Sequence, residues 1–323
     1  MKVLQAGAVS SLATIVALAA GLAWPAAAQI ELSPSSAPRG ANSSTRLGAQ
    51  EAETYLRFPI QRLKAVVPAL SGIKYDESQG QLPSILNHVA QHIADVLPRL
   101  PDLISREDVF HFQGGGDADA GGPAASQPWG RQYKYLLQRQ HNADGSNSLM
   151  ESRVDGAGRP VKDGGGFTSL RGYGFGYQWL FFSADNQPEF HFRYLGQQEK
   201  NGRKTFVVAF AQEPGKVAAP AFFQAGEKRV PFYYQGVLWV DQTSFDIVAL
   251  RTDLLAPLPQ VLLKQLTTEL TFREVRIRGY DAVFWLPSEV DISSDQGRGS
   301  SEESHRYSDY HLFHAETRIL PEP

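Results

Sequence analysis

The clearest helical pattern in the chain is Ile85, Val89, Ile93 and Val96, spaced by 4, 4 and 3 residues, with Leu86 and Leu97 beside them. One apolar stripe on a 3.6-residue period predicts an amphipathic helix. Pro83-Ser84 suits its start and Pro98 its stop. Residues 51–67 carry a weaker helical pattern broken at Pro59, and Ser105 followed by Asp108 resembles a capping box for a last short helix. Residues 51–112 thus read as a helical segment. The stretch 113–130, rich in Gly, Ala and Pro, reads as a flexible loop.

From residue 131 the period changes to two. Phe190, Phe192 and Tyr194 alternate with His191 and Arg193, and Lys204–Gln212 returns through Phe206, Val208 and Phe210. Between them Asn201-Gly202 is a specific hairpin turn, since both residues tolerate φ > 0. Residues 235–241 and 245–254 pair across Gln242-Thr243-Ser244; residues 131–141, 266–278, 283–292 and 303–319 complete the series. Many strands with short hairpin loops predict an antiparallel β domain over 131–319. Alternation between two faces argues against a parallel sheet, whose strands are apolar throughout. One face of such a sheet needs cover, and the helices of 51–112 are the available cover. The fold class expected is therefore α+β: a large curved antiparallel sheet, a half-barrel, with N-terminal helices packed on its concave face.

The N-terminus changes the picture from fold to address. Lys2 is followed by an apolar run from Val3 to Trp24, then Pro25 and Ala26-Ala27-Ala28. That order is the signature of a secretory signal peptide (1–28), cut between Ala28 and Gln29. The alternative is an uncleaved anchor, as the run approaches the ~20 residues a spanning helix needs. Ser10, Ser11 and Thr14 dilute it, and the polar stretch Ser33–Gly48 lacks a basic stop-transfer cluster, which favours cleavage. Residues 29–50 read as a disordered leader. The expected location is the periplasm, with secretion as the alternative.

Composition removes several chemistries. The chain has no Cys, which excludes disulfides, Cys-ligated zinc, iron–sulfur clusters and a thiol nucleophile. A net charge of −3 argues against a nucleic-acid partner. No Gly-x-Ser-x-Gly elbow or His-Glu-x-x-His motif occurs, and the runs Gly114–Gly116 and Gly164–Gly166 lack the context of a phosphate loop. His88 and His92 are four apart on a helix, a spacing open to a metal but better suited to an exposed polar edge. The densest polar cluster is His305-Arg306-Tyr307-Ser308-Asp309-Tyr310-His311. On a regular strand His305, Tyr307, Asp309 and His311 share a face; the readings are a metal or catalytic set, or the solvent face of an amphipathic strand. Glu302-Glu303 and Asp144/Asp155 read as loop carboxylates. The aromatic run Tyr173, Phe175, Tyr177, Trp179, Phe181, Phe182, alternating at first with Gly172, Gly174 and Gly176, reads as a strand packed on a neighbour, or as a ligand wall.

Gly236-Val237-Leu238-Trp239-Val240-Asp241, Thr243 and Ile247-Val248-Ala249-Leu250 resemble a hairpin of the outer-membrane lipoprotein-sorting superfamily, which includes LolA-like carriers. Arg251–Pro257, Phe284–Val290, His305–Tyr310, Val67–Leu70 and Phe192–Gly196 resemble a group of uncharacterised exported proteins of acidobacterial type. The carrier resemblance implies an apolar cavity for acyl chains or a lipidated peptide. The function expected is non-catalytic binding of an apolar ligand, with a lipid or lipoprotein as partner. Trp179, Phe192, Trp239, Phe272 and Trp285 are the candidate wall, chosen as mid-strand aromatics. No catalytic, metal or cofactor residues are assigned. The alternative is a structural or protein-interaction module of the envelope; a hydrolase using His305 or His311 with Asp309 ranks third.

Overall fold

Pro59 cannot continue a helix from its N-terminal side, and the first helix starts directly after it: α1 spans Ile60–Val66, followed by a 3-10 turn at Pro68–Leu70. The short strand β1 is Lys74–Tyr75, and α2 is Leu82–Val96, stopped as a 3-10 turn that includes Pro98. These elements belong to a computed structural model that describes residues 54–114, 127–141, 147–161, 176–218, 220–225, 228–297 and 299–313. The expected signal peptide with Ala28 and Gln29, the leader, residues 115–126 of the loop, Asp144 and the end of the last strand lie outside those residues. No helix among the described residues is long and apolar enough to cross a membrane.

The remaining elements are β2 (Leu103–Gln113), β3 (Trp129–His141), β4 (Asn147–Val154), the helical turn α3 (Gly176–Trp179), β5 (Phe190–Lys200) and β6 (Arg203–Gln212). They continue as β7 (Ala221–Ala225), β8 (Lys228–Phe232), β9 (Tyr234–Asp241), β10 (Ile247–Leu254), β11 (Gln265–Arg276), β12 (Val283–Asp295) and β13 (Ser300–Leu312). Eleven of these strands form one sheet in the order β1-β5-β6-β9-β10-β11-β12-β13-β2-β3-β4, and β7 pairs with β8 apart from it. Every pairing is antiparallel. The sheet is open: β1 and β4 are its ends. The Asn201-Gly202 turn has φ of 53° and 72°, as the sequence requires of it.

Two core clusters mark the two faces. In β6, Val208 and Phe210 join one cluster while Val207 and Ala209 join the other; in β9, Leu238 and Val240 separate in the same way from Val237 and Trp239. Ile85, Val89 and Ile93 of α2 and the triplet Leu180-Phe181-Phe182 belong to the first cluster. Leu63 of α1, Leu70 and Tyr55 belong to the second. Helices therefore lie over both faces. That is why β9 and β10 are buried at every position. Each fully buried Leu or Val in these clusters contributes about 1.5–3 kcal/mol.

Two readings of the sequence are corrected here. The span 51–112 is not helical to its end, because Leu103–Gln113 is a strand and Ser105 caps nothing. Its inward positions are Leu103, Ser105, Glu107, Val109 and His111, so three polar inward side chains hid the period of two. The aromatic run near 173–182 is not a strand where it is described. Gly176–Trp179 is a helical turn and Leu180–Phe182 a 3-10 turn with all three side chains buried, which no alternating strand provides.

Gly236 sits mid-strand where two backbones close in. A Cβ there would meet the Arg251 carbonyl oxygen at 1.9 Å and the Phe210 ring at 2.7 Å. Gly236→Ala should destabilise the protein by about 2–3 kcal/mol, the usual scale of overpacking. Chemical denaturation checks it, and an unchanged midpoint would contradict this packing.

Candidate functional site

The five aromatics read as mid-strand do not form one wall, and Trp179 ends the helical turn α3 and is not in a strand. Trp179 stacks on Phe272 with ring centres 5.7 Å apart, and both pack with the α2-side cluster. Phe192 packs beside Phe182 and Phe190, and Trp285 sits half-buried under the Arg203 guanidinium, 5.2 Å from its ring. Trp239 is on the opposite face, 2% exposed, its indole N–H donating to Gln198 Oε1 at 3.1 Å. Beside Trp179, under α2, a void of about 20 Å³ is bounded by His92, Ile93, Phe245 and Ile247. That holds about one water molecule and no acyl chain.

His88 and His92 serve structure. His92 Nε2 lies 2.8 Å from Asp246 Oδ1, and His88 stacks on Phe245. The His305–His311 run also differs from a regular strand. A bulge falls between Ser308 and His311, with Asp309 at φ 55°, so the alternation shifts there. His305 and Tyr307 face the core, Tyr310 replaces Asp309 inward, and Asp309 and His311 are exposed. His305 and Asp309 are therefore not on one face, and the solvent-face reading is reversed for His305. Among the described residues no group of three His, Asp or Glu could hold a metal.

Inside, the pairing of β2 with β13 places Glu107 opposite Tyr307 and His111 opposite Glu303. Arg153 donates to both Glu107 oxygens, at 2.6 and 2.9 Å. Tyr307 donates its hydroxyl to Glu107 Oε1 at 2.6 Å. His305 bridges two carboxylates, Nδ1 to Glu107 at 2.8 Å and Nε2 to Glu303 at 2.7 Å. Burial alone would raise the Glu107 pKa, but the Arg153 guanidinium and the bonds from His305 and Arg153 lower it to about 2. Burial opposes charge on His305, and the bonds to Glu107 and Glu303 overcome it and raise its pKa. The cluster is a closed set of ion pairs, and it fixes β2, β4 and β13 to one another.

The open volume is on the other face. A groove of about 760 Å³ is bounded by Val66 at the end of α1, Pro68 after it, and Phe110 and Phe112 of β2. Phe110 is 52% and Phe112 42% exposed, large values for side chains of that size. Gly130 of β3 lies opposite Phe110, whose ring covers it at 3.4 Å from where a Cβ would be. The floor is polar: Arg251, Thr267 and Glu269 from β10 and β11, Asp291 from β12, Glu302 and Ser304 from β13. Arg251 is spent on Asp253 and Glu269, at 2.8 and 2.7 Å. A site of this kind can hold an apolar group against the Phe rings and polar groups against the floor. None of the five predicted aromatics lines it. The sequence signal was present: Phe110 and Phe112 alternate with Val109 and His111, inside a span read as helix.

The sequence matches no protein-family model and no curated protein. Among solved structures it is similar to a domain assigned to outer membrane lipoprotein sorting from Vibrio parahaemolyticus, at 12% identity, 70% of this chain, 92% of that one and a TM-score of 0.36. It is similar to a DUF1329 family protein from Desulfovibrio piger at 12%, 71%, 92% and 0.38. The lipoprotein LppX of Mycobacterium tuberculosis gives 12%, 71%, 95% and 0.25. None superposes closely enough to carry an inference about this chain.

The ion cluster generates a pH prediction. Glu107 has a depressed pKa, so its stabilisation is present above the ordinary 4.5 and is lost as pH falls toward about 2. His305 has a raised pKa, so its stabilisation is full below the ordinary 6.5 and is lost as pH rises through the raised value. Glu107→Gln should cost about 3–5 kcal/mol at pH 7, because it leaves Arg153 buried without its carboxylate and removes one of the two carboxylates on His305, and should flatten the acid limb of stability. Denaturation midpoints from pH 2 to 9 test it. A variant within about 1 kcal/mol of the parent would rule out this role, since that is an ordinary surface effect.

Proposed function

We propose that the chain is a non-catalytic binding module that holds the apolar part of a ligand in the groove between α1 and β2. The finer expectation is a lipid or the acyl chain of a lipoprotein as that ligand, carried in the periplasm by an exported protein. The observation that carries the reading is the pair of exposed rings, Phe110 and Phe112, at the rim of a 760 Å³ groove. That volume lies in the range of small-molecule sites, ~300–1,000 Å³. Exposed aromatics of this kind are paired with a cavity here rather than scattered singly. The small void under α2 supports placing the ligand on the α1 face. The packing of α2 and Leu180–Phe182 against that face accounts for its filled interior, leaving the α1 face for binding.

The test is titration of the purified protein with a neutral alkyl fluorophore. Binding should saturate at one site. Phe110→Ser with Phe112→Ser should weaken it about tenfold, as 1.4 kcal/mol of lost contact predicts, with thermal stability unchanged because both rings are exposed. Unaltered affinity in that double variant would place the ligand elsewhere and end this reading.

Export is tested separately. Expressed in a bacterium from Met1 to Pro323, the chain should yield a protein beginning at Gln29 outside the cytoplasm. An intact N-terminus in a membrane fraction would replace cleavage with anchoring.

A further inference from the structure

The groove floor has more negative charge than ion pairs among the described residues neutralise. Glu269 of β11 lies directly opposite Asp291 of β12, and Glu302 of β13 pairs at Ser293, two residues along the same face from Asp291. Like charges directly across a strand pair are destabilising. Arg251 answers Glu269, but it is shared with Asp253. Asp291 and Glu302 have no ion pair among the described residues. Of the other guanidinium groups at the rim, Arg306 lies 5.9 Å from the Phe110 ring and is held by Glu289, and Arg131 lies 4.9 Å from the ring of Trp129. Ser304, in the same floor, has a buried hydroxyl oxygen with no hydrogen-bond partner among the described residues.

Resting on the groove-binding reading above, we propose that the occupant is a basic polypeptide segment, with an apolar group set between Phe110 and Phe112 and Lys or Arg side chains on Glu269, Asp291 and Glu302. Spacing favours a polypeptide over a single amine. Three neighbouring strands stand about 4.8 Å apart, so the carboxylates span about 10 Å across the sheet. One ammonium group meets one or two of them; successive basic side chains meet all three. The bound segment relieves the repulsion between Glu269 and Asp291. The same charges repel fatty-acid carboxylates and anionic headgroups. The contacts are exposed, so salt weakens them.

Calorimetry on the intact mature protein tests this with three probes: a ten-residue peptide with two Phe and three Lys, the same peptide with Glu for Lys, and dodecylamine. The neutral alkyl fluorophore is run beside them. At 50 mM salt the Lys peptide should bind at least tenfold more tightly than the Glu peptide, and more tightly than dodecylamine. The margin should shrink at 500 mM salt and vanish in Asp291→Asn with Glu302→Gln, both exposed and expected to fold. Equal binding of the two peptides, or a preference that survives the double variant, overturns the charge inference. Tighter dodecylamine binding overturns the polypeptide in favour of an amine lipid. If the neutral fluorophore still binds and still depends on Phe110, the groove reading stands in each of those cases. If it does not, that reading fails independently.

Discussion

An open antiparallel sheet has two faces and two ends, and the fold follows from how each face is kept from water. On one face α2 and the Leu180–Phe182 turn fill the space over the strands. On the other, α1 and the turn after it cover β5, β6, β9 and β10. A seven-residue helix is about 10 Å long, some two strand spacings, so it cannot roof eleven strands. The cover stops at Val66 and Pro68, and the groove begins there. The candidate site is thus a consequence of incomplete roofing and needs no dedicated element.

Buried charge shares the work of tying strands together. Each face carries an arginine held by acidic side chains: Arg251 by Asp253 and Glu269, and Arg153 by both oxygens of Glu107. The second is extended by His305 and Glu303. Such clusters hold register because an inward charge has few alternative partners; a slip by one residue would turn Glu107 outward and strand Arg153 inside. Their net contribution to stability against an apolar core is smaller than the damage done by removing one member. Specification of the β2–β13 pairing, which joins residues nearly two hundred positions apart, is the use that this geometry supports.

The legible parts of the sequence were those where one physical cause dominates. The α2 stripe, the Asn201-Gly202 turn and the β9–β10 hairpin each follow from period or turn chemistry alone. Strand β2 was not legible, because Ser105, Glu107 and His111 occupy inward positions and the groups that make a buried Glu107 tolerable lie 46 to 200 residues away. The bulge at Ser308–His311 was hidden for a related reason: a positive φ at Asp309 is selected by the core's use of Tyr310, not by its neighbours. Mid-strand aromatics were a poor guide to the site. An aromatic in the middle of a strand is one that the core can bury, and Trp239 and Phe272 were buried.

The residues that mark the groove are those the fold declines to bury. Phe110 and Phe112 face outward on a strand whose inward positions hold a glutamate and a histidine, an inversion of the usual pattern. Apolar rings left in water while polar side chains are taken inside cost free energy on both counts. The inward inversion is explained by the ion cluster. The outward one has no explanation among the described residues, none of whose elements covers the rings. A ligand that covers them accounts for it, and the unanswered carboxylates beside them set what the rest of that ligand must be.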